Sequence, residues 1–147
     1  MTRSTAIVAL IAGVSYPSAT AALENVRMVS AGDSVATFLN TAMNSVDRRH
    51  EPVELVIAQQ EGLLKLYSNE PGFTRELRLP DGVTIESVLP EIEGGDPGMR
   101  RVLFIPGATV PGIVIQLTNR RNAHRRIRLD PMTGFPRVEN VEAPEAK

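Results

Sequence analysis

Six arginines crowd one short stretch of this chain. Arg120, Arg121, Arg125, Arg126, Arg128 and Arg137 face only Asp130 in opposition, so residues 120–137 carry a formal charge of +5. Guanidinium groups fork onto phosphate oxygens and draw affinity from counterion release, which makes such a cluster suited to a nucleic-acid backbone or to an acidic partner. A plainer reading takes precedence: Ile127-Arg128-Leu129 alternates as a half-exposed strand does, and arginine in that pattern keeps a hairpin solvated and its edge guarded. The total charge of -1 over 147 residues conceals this basic end.

Catalytic chemistry finds little to work with. Zero cysteines exclude disulfides, thiolate metal sites and a thiol nucleophile. Gly32-Asp33-Ser34 imitates a nucleophile on a tight turn, but it falls within an amphipathic helical pattern, where Ser34 reads as a packing or surface residue. His50 and His124 are the two histidines, have no partner four residues away and read as solvated. Glu91, Glu93 and Asp96 surround Gly94-Gly95 without the spacing of a calcium loop, and no Gly-rich phosphate loop is followed by Lys-Ser/Thr. With aromatic residues at 4% and no Trp, a base-stacking platform or a sugar cleft is disfavoured. The expectation is a protein that is not an enzyme and uses no cofactor or metal.

The elements that would position these residues divide the chain in two. After Arg3 comes the apolar run Ala6-Ile7-Val8-Ala9-Leu10-Ile11-Ala12-Gly13-Val14, then Tyr16-Pro17. As a helix the run covers about 14 Å, whereas a bilayer needs about 20 residues. One explanation is a secretory signal peptide cleaved after Ala19-Thr20-Ala21, which would leave a periplasmic or secreted domain. Beyond Pro17, Leu23, Val26, Val35, Phe38, Leu39, Ala42, Met43 and Val46 recur at three- and four-residue spacings, which predicts an amphipathic helix from about Ser18 to Arg49, stopped by Pro52. Pro17 itself fits a first helical turn or a kink. Seven β-like runs follow at 53–58, 63–67, 74–79, 83–88, 101–105, 112–118 and 125–129, with turns at Pro71-Gly72, Asp81-Gly82, residues 94–98 and residues 130–134. Val141 to Lys147 reads as a loose acidic tail. The expected fold class is α+β, with a long N-terminal helix packed on a small, mostly antiparallel sheet. Its units are a hydrophobic segment at 1–26, a head at 27–140 and the tail at 141–147.

The order of these features resembles the GspH/FimT-like pseudopilins, minor subunits of type II secretion pseudopili and type IV pili. The matching residues are Ala6–Val14 as the latter half of a membrane helix, Tyr16-Pro17 as its kink, and Ala22-Leu23-Glu24-Asn25-Val26-Arg27 as its continuation. Phe38-Leu39-Asn40 and Glu51-Pro52-Val53-Glu54-Leu55 match the passage from helix to first strand, and Asp130-Pro131-Met132-Thr133-Gly134 resembles the closing turn. The resemblance implies a pilin-like fold and a structural role in protein secretion. Ile7, Val8, Leu10, Ile11, Val14 and Pro17 would lie in the membrane or filament-core helix. The implied partners are other pseudopilins or pilins, the inner-membrane assembly platform and a prepilin peptidase; the implied location is single-pass in the bacterial inner membrane with the head in the periplasm. Family members carry a basic leader ending in Gly, then Phe-Thr-Leu-Ile-Glu or similar, cut and methylated by that peptidase. The N-terminal apolar segment of this sequence has neither the Gly-Phe nor the Glu, so the cleavage site is expected a few residues before Met1. A second reading is a FimT-like minor pilin that binds DNA for uptake through the arginine cluster, and a third is a cleaved periplasmic binding domain.

Overall fold

The computed structural model describes residues 2–69, 74–92, 94–95 and 98–141, with side chains from Ala19 to Asn140 within those ranges. One helix, α1 (Thr2–Arg49), occupies the first third of the chain. At 1.5 Å per residue its 48 residues span about 72 Å. Pro17 lies inside α1, so it does not open a first turn; its side chain, with those of Ile7, Val8, Leu10, Ile11 and Val14, is outside the described residues. Met28, Ala31, Val35, Phe38, Leu39, Ala42 and Val46 form the buried stripe, repeating every three or four residues so that one face turns inward. The helix ends where His50 adopts a left-handed φ of 53° and its amide donates to the Val46 carbonyl at 3.0 Å. This satisfies one orphan carbonyl, the Arg48 and Arg49 charges sit at the negative end of the helix dipole, and Pro52 prevents continuation.

Eight strands follow: β1 (Val53–Ala58), β2 (Leu63–Ser68), β3 (Thr74–Arg78), β4 (Val83–Leu89), β5 (Met99–Phe104), β6 (Val114–Asn119), β7 (His124–Leu129) and β8 (Pro136–Val141). The seven runs expected from sequence all form strands, with ends displaced by a residue or two. β8 was not expected, because Pro136 opens it and Glu139 and Asn140 have poor strand propensity; an edge strand tolerates all three. Val141 therefore closes β8 and does not begin the tail, and residues 142–147 lie outside the described residues, as do Pro71-Gly72, Glu93 and Asp96-Pro97.

The fold is α+β, but the strands make two antiparallel sheets of four, not one: β3-β2-β1-β5 and β4-β6-β7-β8. Each turns an apolar face to α1. Leu55, Ile57, Leu64, Leu66 and Phe104 come from the first sheet, Ile115, Leu117, Ile127 and Leu129 from the second, and Val35 and Leu39 from the helix; all are under 2% exposed. Burial of each such side chain contributes roughly 1.5–3 kcal/mol. Among the described residues no polar or charged side chain is fully buried, so hydrophobic packing joins helix and sheets.

Candidate functional site

The arginine cluster is set by strand alternation and one hairpin. The hairpin joins β6 to β7 through residues 120–123, where the Asn119 Oδ1 accepts from the amides of Arg121 and Ala123, both at 3.0 Å, and Asn122 takes a left-handed φ of 61°. Side-chain capping of this kind lets Asn close a tight turn. It puts Arg120 and Arg121 at an exposed tip. Arg120 lies beside Gly82, with Glu24, Arg27 and Asp81 lining the same small recess, and the Arg121 Nε reaches Glu24 on α1 at 4.0 Å. The tip therefore meets acidic residues of its own chain.

Along β7 successive side chains point to opposite faces. Arg125 shares the inner face with Ile127 and Leu129 and lies across α1 at Gly32. Its Nε and Nη2 both donate to Asn140 Oδ1 on β8, at 3.0 and 2.8 Å, while Nη1 is buried without a hydrogen bond. A Cβ at Gly32 would come within 2.6 Å of the Arg125 Cδ. Gly32 is thus the space that Arg125 needs, which explains the glycine in the nucleophile-like tripeptide without any chemistry at Ser34. Arg126, Arg128 and Arg137 occupy the outer face, with Arg128 directly opposite Arg137 and Arg126 opposite Glu139. The structure accordingly splits the six: two at the tip, one inward, three on the outer face.

Two further features came from the fold: the setting of His124, and the apolar residues displayed by the turn that the sequence places at 130–134. His124, expected in solvent, has a side chain only 13% exposed, with Nδ1 2.9 Å from Glu86 Oε2, an oxygen that also accepts from Gln116 Nε2 at 3.0 Å. Glu86 reaches both because the β4–β6 register shifts between Ile85 and Ser87. The 130–135 turn is the other. Asp130 Oδ1 accepts the Met132 amide at 2.9 Å, and that bond, with the Arg137 guanidinium 3.6 Å away, holds its carboxyl below the usual value of 3.8 against some desolvation. The turn displays Met132 and Phe135 to solvent. His50 is exposed, as expected.

Among the described residues no group of three His, Cys, Asp or Glu is placed to hold a metal ion, and no helix is long and apolar enough to cross a membrane. No family model, curated protein or solved structure matches the chain.

Proposed function

We propose that the chain is a pilin-like structural subunit, a minor pseudopilin of a type II secretion pseudopilus or of a type IV pilus-like filament, whose work is assembly and not turnover. The observation that carries this reading is how α1 divides. From Met28 to Val46 its apolar stripe is covered by the two sheets, whereas Leu23 and Val26 are 49% and 61% exposed and the helix continues past them to Thr2. Apolar helix side chains without cover from their own chain call for other helices or lipid. Ile7, Val8, Leu10, Ile11 and Val14 extend that apolar character toward the N-terminus, so the proposed partners are the same helices of neighbouring subunits, with the assembly platform and a prepilin peptidase acting on the precursor at the inner membrane. N-terminal sequencing of the protein from its native cells tests this, together with cross-linking through Leu10→Cys or Val14→Cys in a chain that has no cysteine of its own. The expected result is a mature chain that retains residues 6–14 and cross-links into multimers. A mature chain beginning at Ala22, or monomers alone, would replace the filament with a secreted domain.

One observation favours a second reading, DNA binding. Arg128 and Arg137 stand directly opposite each other; Asp130, 3.6 Å from Arg137, offsets one of the two like charges, and the remaining positive charge would be favoured by a bound anion. With Arg126 they offer three contacts to a phosphate backbone, not the six counted in the sequence. Duplex DNA bound there would show a logarithmic salt slope of about 2.7, against about 5.4 for the full cluster. A titration at several salt concentrations, in which Arg126→Ala/Arg128→Ala/Arg137→Ala abolishes a slope near the lower value, would favour this reading; we expect no salt-dependent binding.

A further inference from the structure

We propose that the 130–135 turn is a preformed knob that docks in the groove between α1 and β3 of a second copy of this chain. The proposal deepens the filament reading and rests on it for the repeat that sets heads side by side.

The knob is rigid before any partner arrives. Gly134 donates to the Asp130 carbonyl at 2.8 Å, Asp130 to the Phe135 carbonyl at 3.2 Å, and the Phe135 amide to Thr133 Oγ1 at 3.3 Å. Pro131 packs so close to Gly112 that a Cβ there would lie 3.0 Å from its Cγ. On this frame Met132 is 92% exposed and Phe135 64%. A lone exposed apolar residue needs no explanation, but two on one hydrogen-bonded turn form an anchor whose ordering entropy is already spent.

The groove has the complementary character. Val29, Phe38 and Leu77 supply apolar surface in a depression of about 700 Å³, and Asp33 and Glu76 are the charged residues that line it. The knob is bordered by cations: Arg137, paired with Asp130, and Arg128 directly across from it. Asp130 offsets Arg137, and Lys65 on β2 stands across from Glu76, so the surplus charges that meet are Arg128 beside the knob and Asp33 in the groove, alongside the matching apolar surfaces.

The two features cannot meet within one chain. Gly32 faces Arg125 on β7, while Ser34, Phe38 and Thr41 border the groove with β3. At 3.6 residues per turn these three lie roughly 120–180° around the helix from Gly32, whereas Val29 lies about 60° from it but about 21 Å along α1 from Met43, the residue that Gly134 of the knob approaches. Knob and groove sit on opposite flanks, so their occupant is another copy, and the contact joins unlike surfaces. Contacts of that kind are not self-complementary as a two-fold dimer's are; they build rings or open filaments, and the helical repeat of the filament reading selects the open form.

Cysteine pairs test this in the full chain, solubilised in mild detergent and treated with a short bis-maleimide. Met132→Cys and Val29→Cys should each stay monomeric alone, yield dimers when mixed, and yield a ladder when combined in one chain. Met132→Cys combined with Thr118→Cys, on the outer face, should yield none. Phe135→Ala should lower the ladder's yield about tenfold, equivalent to losing about 1.4 kcal/mol of association, and Glu76→Arg should weaken it until Arg128→Glu is added. Thermal melts establish that each variant is folded. Self-linking of Met132→Cys without Val29→Cys, or the absence of a ladder in folded double variant, overturns the proposal. Leu10→Cys multimers without the knob–groove ladder would leave the filament reading standing, whereas a ladder without those multimers would uphold the head contact and remove the filament core.

Discussion

Arg125 shows how far residue type alone can mislead. It belongs to the densest basic run in the sequence, yet alternation along β7 turns it to the helix, where Asn140 takes two of its donors and Gly32 makes room for it. The run was legible as charge; the sorting of its members between two faces and a hairpin tip was not, because that depends on the register with Asn140 on a strand that sequence reasoning missed. The packing makes a thermodynamic demand on Gly32. Glycine within a helix costs about 0.8–1.0 kcal/mol relative to alanine, so Gly32→Ala should stabilise the protein wherever the new methyl fits. In the wild type it does not fit, since it would strike the Arg125 Cδ. In an Arg125→Ala background Gly32→Ala should therefore gain about 1 kcal/mol, while in the native background the gain should vanish or change sign, a coupling of about 1–2 kcal/mol. Urea denaturation of the four variants measures it; additive effects would mean that Arg125 does not rest on Gly32.

At the scale of elements, hydrophobic periodicity located α1 and seven strands, because a 3.6-residue repeat and an alternating one leave distinct traces wherever one face is buried. β8 leaves no such trace: its paired residues include Pro136, Arg137, Glu139 and Asn140, and among its described side chains only Val138 packs against the core. The turn that delivers β8 is held by Asp130, which gives it a pH dependence of known sign. The Asp130 carboxyl is depressed in the folded protein by the Met132 amide and the Arg137 guanidinium. Its ionised form therefore stabilises the turn above the ordinary aspartate value of 3.8, and that contribution fades as the pH falls through the lower folded value. Amide hydrogen exchange at Met132 and Gly134 should accelerate relative to the rest of β7 and β8 as the solution is acidified below about pH 4, after correction for intrinsic rates. Asp130→Asn should abolish that extra acceleration. Uniform change across both strands would show that the carboxylate does not hold the turn.

On the scale of the molecule, sequence reasoning counted one sheet where there are two, since no run of residues states which strands remain apart. β4 and β5 are consecutive in the chain yet end up as edges of different sheets, and the helix packs against strands of both. Their inner faces meet the same stripe, from Met28 to Val46, so neither sheet has an alternative cover for its apolar surface. Two conclusions follow for unfolding. Residues before Arg27 contribute nothing to that stripe, and deleting 1–26 should leave a soluble head with a single unfolding transition; it removes the peripheral Glu24 contact with Arg121, which at 4.0 Å between partly exposed groups is worth little. Within the head, Leu39→Ala opens a cavity in the core cluster to which both sheets contribute. It should cost about 2–5 kcal/mol, lowering the melting temperature by roughly 10–20 °C, and the loss should appear equally in probes placed on either sheet. In the head without residues 1–26, which removes Tyr16, Tyr67 on β2 gives an intrinsic signal for the first sheet, and a fluorophore on Thr118→Cys reports the second. Coincident transitions, displaced together by Leu39→Ala, are the outcome that one core requires. Separate midpoints, or a displacement confined to one probe, would mean that the sheets fold as two units that merely adjoin a common helix.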